Sequence, residues 1–256
     1  MSEKKRDPIT KVFAALSWII TQGQDDISLK EIAAGVGLPL STTHRVMSSL
    51  CETGFIRQDA TGRYRLGLEL VRIARIAVAS APLPRVGLPH LNELVRQCDE
   101  TALLFQYDQV RQQLVTVGVV ESTKPIRYVF SLRDWLPIHA GASGLAILSF
   151  LRDDEREVVL RRFGLPKITD RTITDYDALA REIVKTRERG YAISAGQTVV
   201  GAVGISTPIY ASGGTVVGGV SLTIPESRFE PRDEGTLSSQ LLECAKRISR
   251  DLGEIK

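Results

Sequence analysis

Little in this 256-residue chain invites a metal ion or a disulfide framework. Three cysteines (Cys51, Cys98, Cys244) and three histidines (His44, His90, His139) lie scattered along it. Neither set falls at metal-ligand spacing, and the cysteines form no obvious disulfide pattern, so neither a metal nor a cofactor is expected. No apolar run approaches the ~20 residues that a membrane helix needs. The opening "MSEKKRDPIT" carries charge without the apolar segment of a secretory signal. The expected setting is the cytoplasm, with no membrane partner. Catalytic signatures are missing too. "GASG" at 141–144 is not a G-x-S-x-G elbow, because Gly144 follows Ser143 directly, and no phosphate loop ending in Gly-Lys-Ser/Thr occurs. No nucleophile-and-base arrangement is visible, and the chain is not expected to be an enzyme. Internal repeats and low-complexity tracts are also absent.

With 43% hydrophobic and 25% charged residues, the composition is that of an ordinary globular protein. The net charge of +3 is unevenly placed. Residues 1–85 hold 12 Lys/Arg against 8 Asp/Glu, a net of +4, and the remainder 21 against 22, a net of −1. Basic charge gathered in one segment points to a polyanionic partner there.

That basic segment has its own grammar. From Pro8, Ile9, Val12, Phe13, Leu16, Ile19 and Ile20 recur at three- and four-residue spacing, which predicts a helix with one buried face, stopped at Thr21-Gln22-Gly23. Ser28 and Glu31 read as a capping box opening "SLKEIAAGVG", with Leu29, Ile32, Ala33 and Val36 as its apolar stripe. Gly35 and Gly37 then permit a tight turn. In "LPLSTTHRVMSSLCETG", Thr43, Val46, Met47 and Leu50 share an inner face, leaving Ser41, Thr42, His44, Arg45, Ser48 and Ser49 outside. Two short helices across a glycine-containing turn are the helix–turn–helix pattern, whose second helix enters the DNA major groove. Short hydroxyls allow close approach to phosphates, and Arg45 can bond a phosphate or the acceptor edge of guanine.

Beyond it, "FIRQD" and "RYRLG" alternate around Ala60-Thr61-Gly62, a plausible hairpin wing. Its arginines Arg57, Arg63 and Arg65 either touch flanking phosphates or form a solvated surface. "LGLELVRIARIAVASA" follows, with Leu66, Leu68, Leu70, Val71, Ile73, Ala74 and Ile76 spread over more than one side of a helix. Such a helix needs a second surface to cover it, either its own domain or a partner subunit. From Leu83 the chain reads helix, strands, helices, strands, helix. The strand runs are "TALLFQYD", "QQLVTVGVV", "PIRYVFSL" and a hairpin in "GAVGISTPIYASGGTVVGGVSLTI" turning at 211–214. This pattern predicts an α+β domain on an antiparallel sheet. In "HAGASGLAIL", small residues enter a helix, and Gly141, Ala142, Ser143 and Gly144 either let an anion reach free N–H groups or simply pack tightly.

The stretches "LPLSTTHRVMSSLCETGFIRQDATGRYRLGLEL", "LPIHAGASGLAIL" and "GYAISAGQTVVGAVGISTPIY…GGTVVGGVSL" resemble the IclR-type transcriptional regulators in order and spacing across essentially the whole chain. The resemblance implies a winged helix–turn–helix over 1–66, a linker helix over 67–82, and a GAF-like effector-binding and oligomerisation domain over 83–256. It also implies a homodimer or dimer of dimers. DNA contacts fall on Ser41, Thr42, His44, Arg45, Ser48, Arg57, Arg63 and Arg65. Carried over from the family, Ala142 and Ser143 meet an effector carboxylate, Tyr128, Leu136 and Ala202 form apolar walls, and Ser221 and Thr223 add small polar groups on the last strand. Two departures bear on the effector: Ser194 stands where relatives often have an acidic residue, and Gly204 where many have cysteine. Both remove polar bulk and are expected to open space, while Arg133 adds positive charge near the mouth. These features predict a ligand-responsive regulator of a catabolic operon, bound to double-stranded operator DNA, with a small organic, aromatic acid as effector. A constitutive DNA-binding protein whose second domain only dimerises is the alternative.

Overall fold

A computed structural model describes residues 7–23, 26–128 and 134–253. The chain divides into two compact units, Met1–Ser80 and Ala81–Lys256. In the first, α1 (Pro8–Gln22), α2 (Leu29–Val36) and α3 (Leu40–Glu52) precede a two-stranded antiparallel hairpin, β1 (Ile56–Gln58) and β2 (Tyr64–Leu66), and a further helix, α4 (Leu68–Ser80). The local chemistry sets these boundaries. Asp7 caps α1 and Gly23 ends it at φ 58°. The Ser28 hydroxyl accepts from Glu31 N while the Glu31 carboxylate accepts from Ser28 N at 2.7 Å, completing the capping box of α2.

Thr43, Val46, Met47 and Leu50 of α3 are buried against Ala15, Leu16 and Ile19 of α1 and Ile32 and Val36 of α2. Three expectations need correction here. Ile9, Phe13 and Ile20 are exposed, because they form a second apolar stripe of α1, turned away from the buried Ala15–Leu16–Ile19 stripe. Only Gly37, at φ +66°, makes the turn. Gly35 lies inside α2, where an added Cβ would fall 2.1 Å from the Trp18 ring, so its role is close packing. Leu66 is not helical: it pairs with Ile56 in the hairpin, and α4 starts two residues later. None of the residues of α4 is buried.

The second unit is built on a five-stranded antiparallel sheet of order β4-β3-β7-β6-β5. Its strands are β3 (Thr101–Asp108), β4 (Gln113–Val120), β5 (Ala192–Ala195), β6 (Ala202–Tyr210) and β7 (Val216–Pro225). Helices α5 (Pro82–Cys98) and α9 (Glu234–Gly253) cover one face, over Ala102, Leu104, Ile205, Val220 and Leu222. Helices α6 (Gly141–Phe150), α7 (Asp153–Phe163) and α8 (Tyr176–Arg189) cover the other, over Leu103, Phe105 and Val216. Along β3 alternate residues therefore serve opposite layers, as the two-residue period of a strand requires, while in β7 the register shift opposite Ile209 and Tyr210 puts Val216 in one layer and Val220 in the other despite their even spacing. The run "PIRYVFSL" is not a strand at 125–128, and its remaining residues lie outside those described. β5 is too short for alternation to mark it.

One buried ionic group fastens the end of this sheet. The Glu100 carboxylate, 6% exposed, accepts from Arg228 Nε at 2.9 Å, Arg228 Nη2 at 2.6 Å and Lys124 Nζ at 2.7 Å. Arg228 also donates to Ile126 O, so the pair ties 124–126 to the turn after β7. Glu100→Ala should cost about 3 kcal/mol, at the lower end for a broken buried pair because Lys124 and Arg228 reach solvent. Urea denaturation of the full chain checks this; a loss under 1 kcal/mol would assign the cluster no role in holding the sheet.

Candidate functional site

The outer face of α3 carries Ser41, Thr42, His44, Arg45, Ser48 and Ser49, all exposed or half-buried. Pro39 at its N-terminus contributes no side-chain cap, so the first-turn N–H groups are left for another acceptor. A shallow groove of about 450 Å³ runs along this face, lined by Lys11, Thr42, Arg45, Ser48 and Glu52 among others. Lys11 had no part in the sequence-based set; it sits on α1 and reaches the groove only through the packing of α1 on α3.

The wing arginines divide into two kinds. Arg63 donates through Nε to Asp26 O at 2.7 Å, and Arg65 pairs with the Asp26 carboxylate. Asp26 itself adopts φ 77°, a left-handed conformation that costs energy for a non-glycine residue, and these two arginines hold it there. Asp59 sits at the start of the hairpin turn. The Thr61 hydroxyl and the Arg63 N–H, both bonded to its carboxylate, hold its pKa below the usual carboxylate range. Arg57 and Arg45, by contrast, make no hydrogen bond or ion pair among the described residues.

In the second unit, a cavity of about 240 Å³ lies between the sheet and the start of α6. Leu103, Phe105, Leu114 and Leu136 form apolar walls, and Ala142, Ser143, Ser194, Ala202, Gly204, Ser221 and Thr223 also line it. No charged side chain lines it among the described residues. The sheet register explains the polar row. Ser194 pairs with Gly204, and Gly204 with Thr223, so these three residues of β5, β6 and β7 point to the same side. The Ser194 and Thr223 side chains are about nine-tenths buried and have no hydrogen-bond partner among the described residues. Ser221 is committed, donating to Ile205 O at 3.1 Å.

At the other wall, α6 begins without a side-chain cap from Ala140. Gly141 stands at φ +72°, and an added Cβ would meet Thr198 at 2.9 Å, so position 141 needs glycine for both conformation and space. Its N–H donates to Gln197 Oε1 at 3.1 Å, a contact across 56 residues. The Gln197 carbonyl in turn accepts from the Thr169 and Thr172 hydroxyls, fixing the loop that carries it. Gly144 serves packing instead: a Cβ there would fall 2.8 Å from Pro137 O.

Several expectations change. Gly204 does not simply open space, since a Cβ there would lie 3.0 Å from Ala142 Cβ; its bareness lets α6 seat closely on the sheet. Tyr128 is not among the lining residues; its hydroxyl donates to Val200 O at 3.3 Å. Arg133 lies outside the described residues. Gln197, Ile168 and Thr198 line the cavity without having been anticipated. Two of the three histidines have internal partners: His90 meets Asp251 at 2.7 Å, and buried His139 meets Pro166 O at 2.9 Å. No cluster of metal-ligating residues occurs among the described residues, and no helix there is long and apolar enough to cross a membrane. Burial pushes the Cys244 thiol up to about 12, away from reactivity.

Comparison with known proteins bears on both sites. Residues 76–250 match the family described as bacterial transcriptional regulator IclR C-terminal, and residues 8–60 the IclR helix-turn-helix domain. The HTH-type transcriptional regulator KipR of Bacillus subtilis is 29% identical over 251 residues, covering 98% of this chain and 99% of that one. The crystal structure of Thermotoga maritima IclR superposes with a TM-score of 0.78 at 29% identity, over 96% and 98% of the two chains. An IclR homologue from Microbacterium hydrocarbonoxydans, solved in complex with 4-hydroxybenzoate, gives a TM-score of 0.81 at 25% identity, over 96% and 99%.

The division among the wing arginines is testable. Arg65→Ala should speed amide exchange at Tyr64 and Ile27, which bond each other across the hairpin base, by about two- to fivefold, the worth of a half-exposed ion pair. Arg57→Ala should leave those amides unchanged. Equal acceleration in both variants would contradict the structural role given to Arg65.

Proposed function

The chain belongs to the IclR family and is a DNA-binding transcriptional regulator; on that premise we propose that it senses a small organic acid, with an aromatic acid fitting best, and thereby controls a catabolic operon. The observation that carries this reading is the cavity of about 240 Å³, with no charged side chain in its lining among the described residues, walled by Leu103, Phe105, Leu114 and Leu136 and closed by the start of α6, which has no cap from Ala140. That volume equals about eight waters' share of liquid, more than a two- or three-carbon keto acid fills. The α6 first turn offers N–H groups and a positive helix end to a carboxylate, while the aliphatic and aromatic walls suit a ring. A relative of the same fold was solved with 4-hydroxybenzoate, which supports this ligand class.

On the DNA side, α3 enters the major groove with Ser41, Thr42, His44, Arg45 and Ser48, and Arg57 supplies a phosphate contact from the wing. Arg63 and Arg65 shape the wing first and add positive charge second. Helix α4 exposes Leu68, Val71, Ile73, Ile76 and Val78, an apolar surface that a second copy of the chain covers in a homodimer or dimer of dimers. Two recognition helices then meet successive major grooves of a pseudo-palindromic operator. The effector shifts DNA affinity by its difference in affinity for the DNA-binding and non-binding arrangements.

Two measurements test the parts separately. Arg45→Ala should weaken operator binding by ~1–3 kcal/mol while non-specific binding falls less, if Arg45 reads a base edge; fluorescence anisotropy on operator and scrambled duplexes decides, and an unchanged preference relegates Arg45 to a phosphate. For the cavity, a thermal-shift screen of aromatic and aliphatic carboxylates should raise the melting point of the wild type. A ligand at ~100 times its Kd adds about 2.7 kcal/mol. Ser143→Trp should abolish that shift and leave DNA binding intact. Tight binding of glyoxylate or pyruvate with none of aromatic acids would sink the aromatic-acid reading.

A further inference from the structure

Among the described residues, the polar side chains that line the cavity are all hydroxyls except one. Thr116, Ser143, Ser194, Thr198 and Thr223 can each donate or accept, so none of them imposes a sign on a ligand headgroup, while Ser221, whose proton goes to Ile205 O, can only accept. Gln197 is different. Its amide could in principle present either end, but the Gly141 N–H can only donate, so the oxygen faces Gly141. The amide is planar, which leaves Nε2 with its two hydrogens as the group's donor and Oε1 with one lone pair beside the Gly141 bond. Among the described residues Nε2 has no hydrogen-bond partner. Flipping the amide would set donor against donor at Gly141. Shifting the backbone would break the bonds from Thr169 Oγ1 at 3.2 Å and Thr172 Oγ1 at 2.8 Å to the Gln197 carbonyl. The glutamine is therefore held with a fixed polarity.

We propose that Gln197 determines headgroup selectivity in this cavity: with its oxygen engaged by Gly141, its Nε2 is a committed donor that favours a ligand headgroup carrying only acceptors, a carboxylate, over a carboxamide. A second observation points to a ligand at the same place. The Ser194 and Thr223 hydroxyls are about nine-tenths buried, line the cavity and lack partners among the described residues, so they too await polar atoms that the chain does not supply. The α6 first turn offers further donors and no acceptor. Gln197 Nε2 and the α6 first turn thus offer fixed donors beside adaptable hydroxyls, with Ser221 on β7 the hydroxyl limited to accepting, so an NH2 headgroup seated against Gln197 finds poorer partners than a carboxylate oxygen does.

This proposal rests on the organic-acid reading of the cavity, and its test separates the two. Calorimetry on the full chain would compare 4-hydroxybenzoate and benzoate with their neutral amides, 4-hydroxybenzamide and benzamide, in the wild type and Gln197→Glu. Glutamate keeps the size of the side chain and still accepts from the Gly141 N–H, so the melting temperature should hold. The expected result is a loss of about ten- to a hundredfold in acid affinity, the range for one hydrogen bond to a charged group, with a smaller change for the amides. The acid-over-amide preference would shrink or reverse. An unchanged preference in folded Gln197→Glu would overturn the role of Gln197 and leave the organic-acid reading standing. Failure of the wild type to bind either acid would overturn both. Should Gln197→Glu melt early, Gln197→Met, of similar length with neither donor nor charge, must also lose most of the preference; its retention would overturn the proposal equally.

Discussion

Helix α6 lies as close to the sheet as it does because the residues that meet there are Ala142 and Gly204. A Cβ at 204 would sit 3.0 Å from that of Ala142, tighter than ordinary contact, and would push the helix outward. On its other side Gly144 lies against the backbone of Pro137 and Ile138, so α6 has no slack in which to retreat. This grip places the first turn of α6 above the row formed by Ser194, Gly204 and Thr223. The walls, the hydroxyls and the Gln197 contact all take their spacing from it. A core this close-packed transmits a displacement instead of absorbing it, which the proposed binding of an effector against α6 would require.

Much of this was legible in the sequence, for identifiable reasons. The capping box of Ser28 and Glu31, the inner face of α3 and the hairpin around Ala60-Thr61-Gly62 are local patterns, decided by residues within four positions of one another. The antiparallel sheet showed itself in β-rich runs, except where β5 was too short and where 125–128 is irregular despite its β-branched and aromatic neighbours. What the sequence concealed was long-range. Ile9 and Phe13 have the spacing of a buried stripe, and periodicity cannot say which of two adjacent stripes faces the core. Gly35 looked like half of a turn until Trp18 supplied its reason. Gln197 was invisible as a site residue because its partner Gly141 is 56 positions away and a loop glutamine carries no signal of its own.

The N-terminal unit repeats that lesson in charge. Counting arginines on the wing overstates what is free for phosphate, because Arg63 and Arg65 are engaged with Asp26, a residue on the far side of α2 in the chain. Their cost in free cations is offset by order: the strained Asp26 and the short hairpin stabilise each other, and the Ile27–Tyr64 bridge lies between them. Arg57, paired with Arg65 across the hairpin register, is the wing cation left without an internal partner among the described residues. The surface that presents charge is thus built by other charges that do not.

Each unit closes its own hydrophobic cores. The cluster around Met47 contains no residue beyond Leu66, and the two clusters flanking the sheet contain none before Leu83. The consequence is evolutionary. Substitutions that reshape the cavity, at Ser194, Gly204 or Gln197, change no residue that packs beneath α3, and substitutions along α3 change none that grips α6. Under the proposed function, lineages can therefore exchange what the cavity senses without changing which DNA α3 reads, and the reverse.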